Sequence, residues 1–354
     1  MIRYVNKAVG REITSQKTSF VYFGGTNYLG LQTHFRFKRL VLKGVLKYGI
    51  HHGASRHSNL RISLFNKTEK ALAKQAGAPA AVLVSSGYLA GQIVAKQFMG
   101  PAYECLYLPN THTALKLNPE AVETPADRLS EQITKALELK KTPVLFLDSI
   151  DFFGAHFPDF EFLKTIDSSN CILVVDDSHA IGVVPQDGSG SYKILKELPT
   201  KKLIVTASLG KGLGISGGVI FTDPHSAQSL KNSPSFGGAS PPNLGGLYAY
   251  HHGQDIYQKQ LEKLHKNIKR FTKGLEQPQY FHTHQDHAAF GFQSPSLSKG
   301  LEDAGFLCTS FPYPTASDPL MSRIVISATH KKKDIERLTK TINTLLKLAT
   351  PKGV

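Results

Sequence analysis

A strand-like run ends in two aspartates, a serine and a histidine in VVDDSHAIG, Val174 to Gly182. Side chains alternate along a strand, which puts Asp176 and Ser178 on one face. A carboxylate there can hold a protonated ring nitrogen, and His179 follows within reach of the same ligand. A polar cap at a strand-to-loop junction looks the same. A metal would need further ligands at a recognisable spacing, and the chain offers none. A second segment, TASLGKGLGISGG from Thr206 to Gly218, runs from a strand into a glycine-rich turn with a single lysine, Lys211. Glycines let a backbone approach a ligand closely and adopt positive φ. A lysine on such a turn can form an imine if its pKa falls well below the free value of about 10.4. It can also bind phosphate, although the G-x-x-x-x-G-K-[ST] loop is not matched. In a third segment, LVSSGYLAGQ from Leu83 to Gln92, a strand stops, two serines and a glycine follow, and a helix opens. Free N–H groups at a helix start make a phosphate site, but any strand–turn–helix with serine caps reads alike.

Together the three segments supply a phosphate cradle, a carboxylate for a ring nitrogen and an imine-forming lysine, in that chain order. Pyridoxal phosphate needs this set, because a carboxylate that keeps its pyridine nitrogen protonated makes the ring an electron sink. All three lie at the C-terminal ends of candidate strands, where open α/β sheets place ligands. Buried strands are expected over residues 80–84, 144–148, 171–177, 203–208 and 219–222, with helices over 64–76 and 87–98 between them. This alternation predicts an α/β fold with a mostly parallel sheet. After Pro242 the character changes. A long amphipathic helix places Leu261, Leu264, Ile268 and Phe271 on one face. A strand near 290–293, a helix over 297–304, a strand over 323–329 and a final helix striped by Ile335, Leu338, Ile342 and Leu345 follow. The expected organisation is an N-terminal segment, 1–34, packing with a small C-terminal α+β domain, 246–354, and a large cofactor-binding domain, 35–245.

The 354 residues suit two domains, and 41% hydrophobic residues can build a sizeable core. The net charge of +15 comes from 42 basic and 27 acidic residues. The lysines are scattered along helical stretches such as LEKLHKNIKRFTKGL, without interleaved aromatics, which argues against nucleic acid. They read as solvated helix faces that also attract a phosphorylated substrate. No stretch approaches the roughly 18 apolar residues of a membrane span, and MIRYVNKAVGREITSQ has no apolar signal core. Cys105, Cys171 and Cys308 form neither a metal pair nor a disulfide framework. A reduced, cytoplasmic protein without a metal is expected.

Several further motifs fall in order. TNYLGL begins at Thr26, YGIHHGASRHSN at Tyr48, SSGYLAG at Ser85, VDDSH at Val175, SLGKGLGISGG at Ser208, SPP at Ser240 and RIVISATHKKKDIERL at Arg323. This series, from about Tyr22 to Leu346, resembles the fold-type I pyridoxal phosphate enzymes and, within them, the α-oxoamine synthases. The resemblance implies a large domain with a seven-stranded-type, mostly parallel sheet flanked by helices, plus the smaller α+β domain. It implies that Lys211 carries the cofactor and moves the substrate α-proton, that Asp176 pairs with the pyridine nitrogen, and that His179 hydrogen-bonds the ring hydroxyl. His112, in NTHTA, matches a histidine that stacks on the ring; its residue context alone reads as a surface histidine. Ser86, Gly87, Tyr88 and Ser208 match the phosphate site, and Ser178 stands beside the ring-binding residues. Arg323 matches the arginine that grips the substrate carboxylate, where a planar fork fits; otherwise it reads as a strand-edge arginine. Thr26 falls on the substrate side. The implied reaction condenses an amino acid with an acyl-CoA, with decarboxylation, in a homodimer. An aminotransferase of the same fold and a non-catalytic partner protein are the alternatives. The departures from the pattern are Ser178 for alanine, Thr26 for asparagine, Gly237–Gly238 for a hydroxyl pair before SPP, and a bulky residue near Phe152.

Overall fold

The computed structural model describes residues 2–118, 120–150, 160–284, 286–312, 318 and 320–349; Phe152 lies outside them. Eleven strands form among these residues. They are β1 (Glu12–Ser15), β2 (Thr18–Phe23), β3 (Ala80–Val84), β4 (Tyr103–Tyr107), β5 (Thr142–Asp148), β6 (Ile172–Asp176), β7 (Lys202–Ser208), β8 (Gly218–Thr222), β9 (Ala289–Phe292), β10 (Phe306–Pro312) and β11 (Leu320–Val325). The chain divides into two compact units, one holding residues up to Phe37 and those from Asp255 onward, the other running from Lys38 to Gln254.

The larger unit is built on a six-stranded sheet in the order β3-β8-β7-β6-β5-β4. Strands β4 to β7 are parallel, and β8 runs antiparallel to both β7 and β3. Of the parallel strands, β5 to β7 are largely apolar runs because both sheet faces are covered; every residue of β6 is buried. Val82, Val94, Phe98, Phe146, Val174 and Ile220 share one core, in which Phe146 stacks on Tyr107 with ring centroids 4.8 Å apart. In place of a seventh strand, a single parallel bridge joins Tyr107 to Glu123. The Thr124 amide donates to the Tyr107 carbonyl at 2.6 Å, and Pro125 follows, with no N–H to extend the ladder.

Beneath β3 lies a buried ion pair. Glu69, on the helix Ser63–Ala76, accepts from the Leu83 amide at 3.0 Å and pairs with Arg56 at 3.0 Å. Arg56 donates to the Leu83 carbonyl at 3.3 Å, its guanidinium over Phe65 and Phe236.

The smaller unit holds a five-stranded sheet in the order β1-β2-β10-β11-β9. β2 and β10 are parallel, and the other pairs are antiparallel. β11 ends at Val325, earlier than the apolar run suggests, because the chain turns there. The Ile326 amide donates to the Ala288 carbonyl at 2.8 Å and the Ser327 amide to His330 Nδ1 at 3.0 Å. The long amphipathic helix expected after Pro242 is Gln254–Gly274, with Leu264, Ile268 and Phe271 buried, and a separate helix, Leu244–His252, precedes it. No helix among the described residues is long and apolar enough to cross a membrane.

Candidate active site

Three parallel strands end level with one another. Asp148 of β5 is in register with Asp176 of β6, and Asp176 with Thr206 of β7. Asp176 Oδ1 accepts the Ser178 amide at 2.9 Å, a side-chain turn that bends the chain out of the strand. Ser178 sits past the end of β6, where strand alternation no longer sets its direction. Its hydroxyl oxygen accepts the Ser208 amide at 2.8 Å, tying the aspartate loop to the entry of the lysine loop. That loop is closed on itself: the Leu209 amide donates to Gly217 and the Ile215 amide to Leu209. Gly210 donates to Ser208 Oγ at 3.3 Å. From this frame Lys211 Nζ reaches His179 Nε2 at 2.7 Å.

His112 precedes the short 3-10 turn Thr113–Leu115. Its amide donates to Asp148 Oδ1 at 3.0 Å, and its Nδ1 accepts the Ala114 amide at 3.1 Å, which leaves the proton of the neutral ring on Nε2. Burial lowers its pKa; the Asp176 charge opposes this and Lys211 adds to it. The ring thus feels the carboxylate and the amine at once, and His112, Asp176, His179 and Lys211 form one polar site.

The residues expected to form a phosphate cradle adjoin it. Ser86 Oγ accepts the Leu89 amide at 3.1 Å and caps the helix Gly87–Lys96. At a helix start the Gly87 and Tyr88 N–H groups have no intrahelical acceptor, a ready anion site. A Cβ at Gly87 would lie 2.6 Å from Ser208 Cβ, so only glycine lets this helix start meet Ser208. The Tyr88 side chain is exposed, leaving its backbone as the group within the cradle.

Asp148 and Asp177 contribute without having been singled out in the sequence. Asp148 holds the histidine loop. Asp177 is fully buried, and its Oδ2 accepts the Ser191 amide at 3.1 Å. Burial pushes its pKa up to about 6, against the nearby Ser191 and Ser149 hydroxyls. Those hydroxyls and Asp177 Oδ1 stop short of hydrogen-bond geometry. An acidic residue at the C-terminal end of a predicted strand, the signal that marked Asp176, also marks Asp148.

The remaining candidates lie in the smaller unit. Arg323 is buried on β11 opposite Thr309 of β10. Its charge lowers the pKa values of Tyr22 and Tyr28 against burial, which pushes Tyr28 to about 12. Thr26 is half-buried after the Gly24–Gly25 turn, where the Gly25 amide donates to Thr309 Oγ1 at 3.1 Å. In the larger unit, Gly237 lies in the last turn of the helix Pro234–Gly238, and His57 fills the space a side chain would need there, since a Cβ would meet its Nδ1 at 2.4 Å. Among the described residues no group of three or more His, Cys, Asp or Glu side chains could hold a metal.

The family of class I and II aminotransferases matches residues 18–342. The 8-amino-7-oxononanoate synthase of Citrobacter koseri is 26% identical over 96% of this chain and 93% of its own length; that of Nitrosomonas eutropha is 24% identical over 94% and 91%. Among solved structures, the Sphingomonas wittichii serine palmitoyltransferase superposes with a TM-score of 0.82 at 18% identity, covering 98% of this chain and 92% of that one. The Francisella tularensis 8-amino-7-oxononanoate synthase superposes with a TM-score of 0.71 at 18% identity, covering 93% and 98%.

Proposed function

The chain belongs to the class I and II aminotransferase family, and we propose that it is a pyridoxal phosphate-dependent α-oxoamine synthase, joining an amino acid to an acyl-CoA with loss of carbon dioxide. The observation that carries this reading is the 2.7 Å contact of Lys211 Nζ with His179 Nε2, at a ring site flanked by Asp176 and His112 and continuous with the cradle of Ser86, Gly87, Tyr88 and Ser208. The residues fit the group: a carboxylate for a pyridinium, an imidazole for a ring face, an imidazole for a ring hydroxyl, a helix start for a phosphate, and an amine. When bound, pyridoxal phosphate supplies an electron sink for the pair left at the amino acid's α-carbon.

Lys211 takes the proton from that carbon, and His179 holds its amine in place. His112, held by Asp148 and Ala114, covers the ring site and keeps water out. Arg323 grips the amino acid's carboxylate with a planar fork, and Thr26 stands on the same substrate side. In the reaction a carbon–carbon bond forms between the α-carbon and the acyl carbon, and the thioester carbon–sulfur bond breaks. The carboxylate leaves as carbon dioxide and the thiol of CoA is released. Leu42, Leu46 and Ile50 present apolar side chains to solvent on or just after the helix Phe35–Tyr48, a surface suited to a second copy in a homodimer.

The test is CoA release by the cofactor-loaded protein with glycine, alanine or serine and a panel of acyl-CoAs. Release is expected, and Lys211→Ala abolishes it together with the visible absorption of the lysine-bound cofactor. Transfer of an amino group to a keto acid, with no CoA released, would instead make the protein an aminotransferase.

A further inference from the structure

The larger sheet lacks one main-chain rung at the edge of the candidate site, and a side chain takes its place. The parallel ladder of β6 and β7 runs as far as the Asp177 amide, which donates to the Thr206 carbonyl at 2.7 Å. Rungs of a parallel ladder are evenly spaced, so the next would run from the Ser208 amide to the Asp177 carbonyl. That carbonyl is already engaged: it accepts the Ala180 amide at 3.0 Å and the Ile181 amide at 3.1 Å. The Ser208 amide donates instead to Ser178 Oγ at 2.8 Å. The neighbouring Leu209 amide faces β8, donating to Gly217, and gives no second tie to β6.

Ser178 is buried and is held from its other side as well, its amide donating to Asp176 Oδ1 at 2.9 Å. Beyond it, the Gly210 amide donates to Ser208 Oγ at 3.3 Å, and Lys211 follows. A chain of hydrogen bonds thus leads from the carboxylate proposed for the pyridinium to the lysine. Its middle link depends on the residue at which this chain departs from the family pattern, since an alanine at 178 has no oxygen to offer. Ser208 also abuts the helix start at Gly87, so a shift of its backbone moves one wall of the cradle too.

We infer that Ser178 is a positioning residue, whose hydroxyl fixes the lysine loop against the aspartate loop and thereby sets how firmly the protein holds pyridoxal phosphate. It acts through Ser208 and Lys211, not by contact with the cofactor. The inference rests on the pyridoxal phosphate reading of the site and is independent of which substrates are joined. Without the hydroxyl, the Ser208 amide loses its acceptor on the β6 side. Loss of one such bond corresponds to roughly three- to tenfold weaker cofactor binding.

The experiment compares Ser178→Ala with Ser189→Ala, which removes another buried hydroxyl, one without a hydrogen-bond partner. Pyridoxal phosphate is titrated into each cofactor-free protein at a series of pH values, and binding is read from the visible absorption of the lysine-bound cofactor. Ser178→Ala is expected to bind it roughly three- to tenfold more weakly and to shift the pH midpoint of that absorption. Ser189→Ala is expected to do neither. Hydrogen–deuterium exchange of the cofactor-free proteins, followed in peptides spanning residues 206–218, should quicken in Ser178→Ala alone. Parent-like affinity in Ser178→Ala, or equal losses in both variants, overturns the inference. Weaker binding with an unmoved midpoint also overturns it, because the lysine is then held as before. If the parent protein itself acquires no visible absorption, the pyridoxal phosphate reading fails, and exchange over residues 206–218 alone decides whether Ser178 holds the loop.

Discussion

Asp177 is a fully buried carboxylate with one oxygen lacking a hydrogen bond, so its charge should oppose folding. Burial raises its pKa from 3.8 to about 6, a difference worth on the order of 3 kcal/mol against the ionised folded state. The sign follows from proton counts. Between the two values the folded chain holds a proton that the unfolded chain has lost, so stability falls as pH rises through that window and is then flat for this group. In Asp177→Asn the amide oxygen can still accept the Ser191 amide, while the new NH2 can donate to the Ser149 or Ser191 oxygen. The variant should be more stable than the parent near pH 8, by up to about 3 kcal/mol, and the two should converge near pH 4. Urea unfolding at both pH values, followed by far-ultraviolet circular dichroism, measures the difference. If the two proteins keep a constant gap across the range, Asp177 is not a buried anion at neutral pH and the account of its site is wrong.

Three other outcomes follow from the same geometry. Glu69→Ala leaves Arg56 buried without its counter-ion and should cost about 3–5 kcal/mol in chemical unfolding. Asp148→Ala removes a charged acceptor from the His112 amide; a loss of roughly 1.5–3 kcal/mol in positioning predicts a ten- to hundredfold fall in kcat with the circular dichroism spectrum unchanged. Gly87→Val drives a side chain into Ser208 and should cost about 1–3 kcal/mol in stability, with weaker cofactor retention read from absorbance after gel filtration.

The sequence is most legible where the chain is apolar throughout. β3 and β5 to β8 are uninterrupted runs buried on both faces, so strand and boundary are both visible within a residue or two. β4 is not, because YECLY mixes a glutamate and a cysteine into a strand whose first three residues are partly exposed. β1 is short, β2 begins in polar residues, β10 carries a threonine and a serine in its middle, and the pairing of β2 with β10 brings Val21 beside Phe306 across most of the chain. No local pattern encodes that. Lys211, Asp176 and His179 could be picked out because loop chemistry at a strand end is local. The grip of Asp148 on His112 depends on how β4 and β5 align, and the tie of Asp177 to the Ser191 amide depends on the fold of a distant loop.

The buried pair of Arg56 and Glu69 also settles how the larger sheet stops. β3 is its outermost strand on that side, and an outermost strand offers unpaired main-chain groups that invite another chain to add on. At Leu83 both groups are already taken, the amide by Glu69 and the carbonyl by Arg56. A strand arriving from a neighbouring molecule would have to break an ion pair sandwiched between two phenyl rings before forming its first ladder rung. At that rung the margin is closed to strand addition by side chains from the helix Ser63–Ala76 and the loop before it.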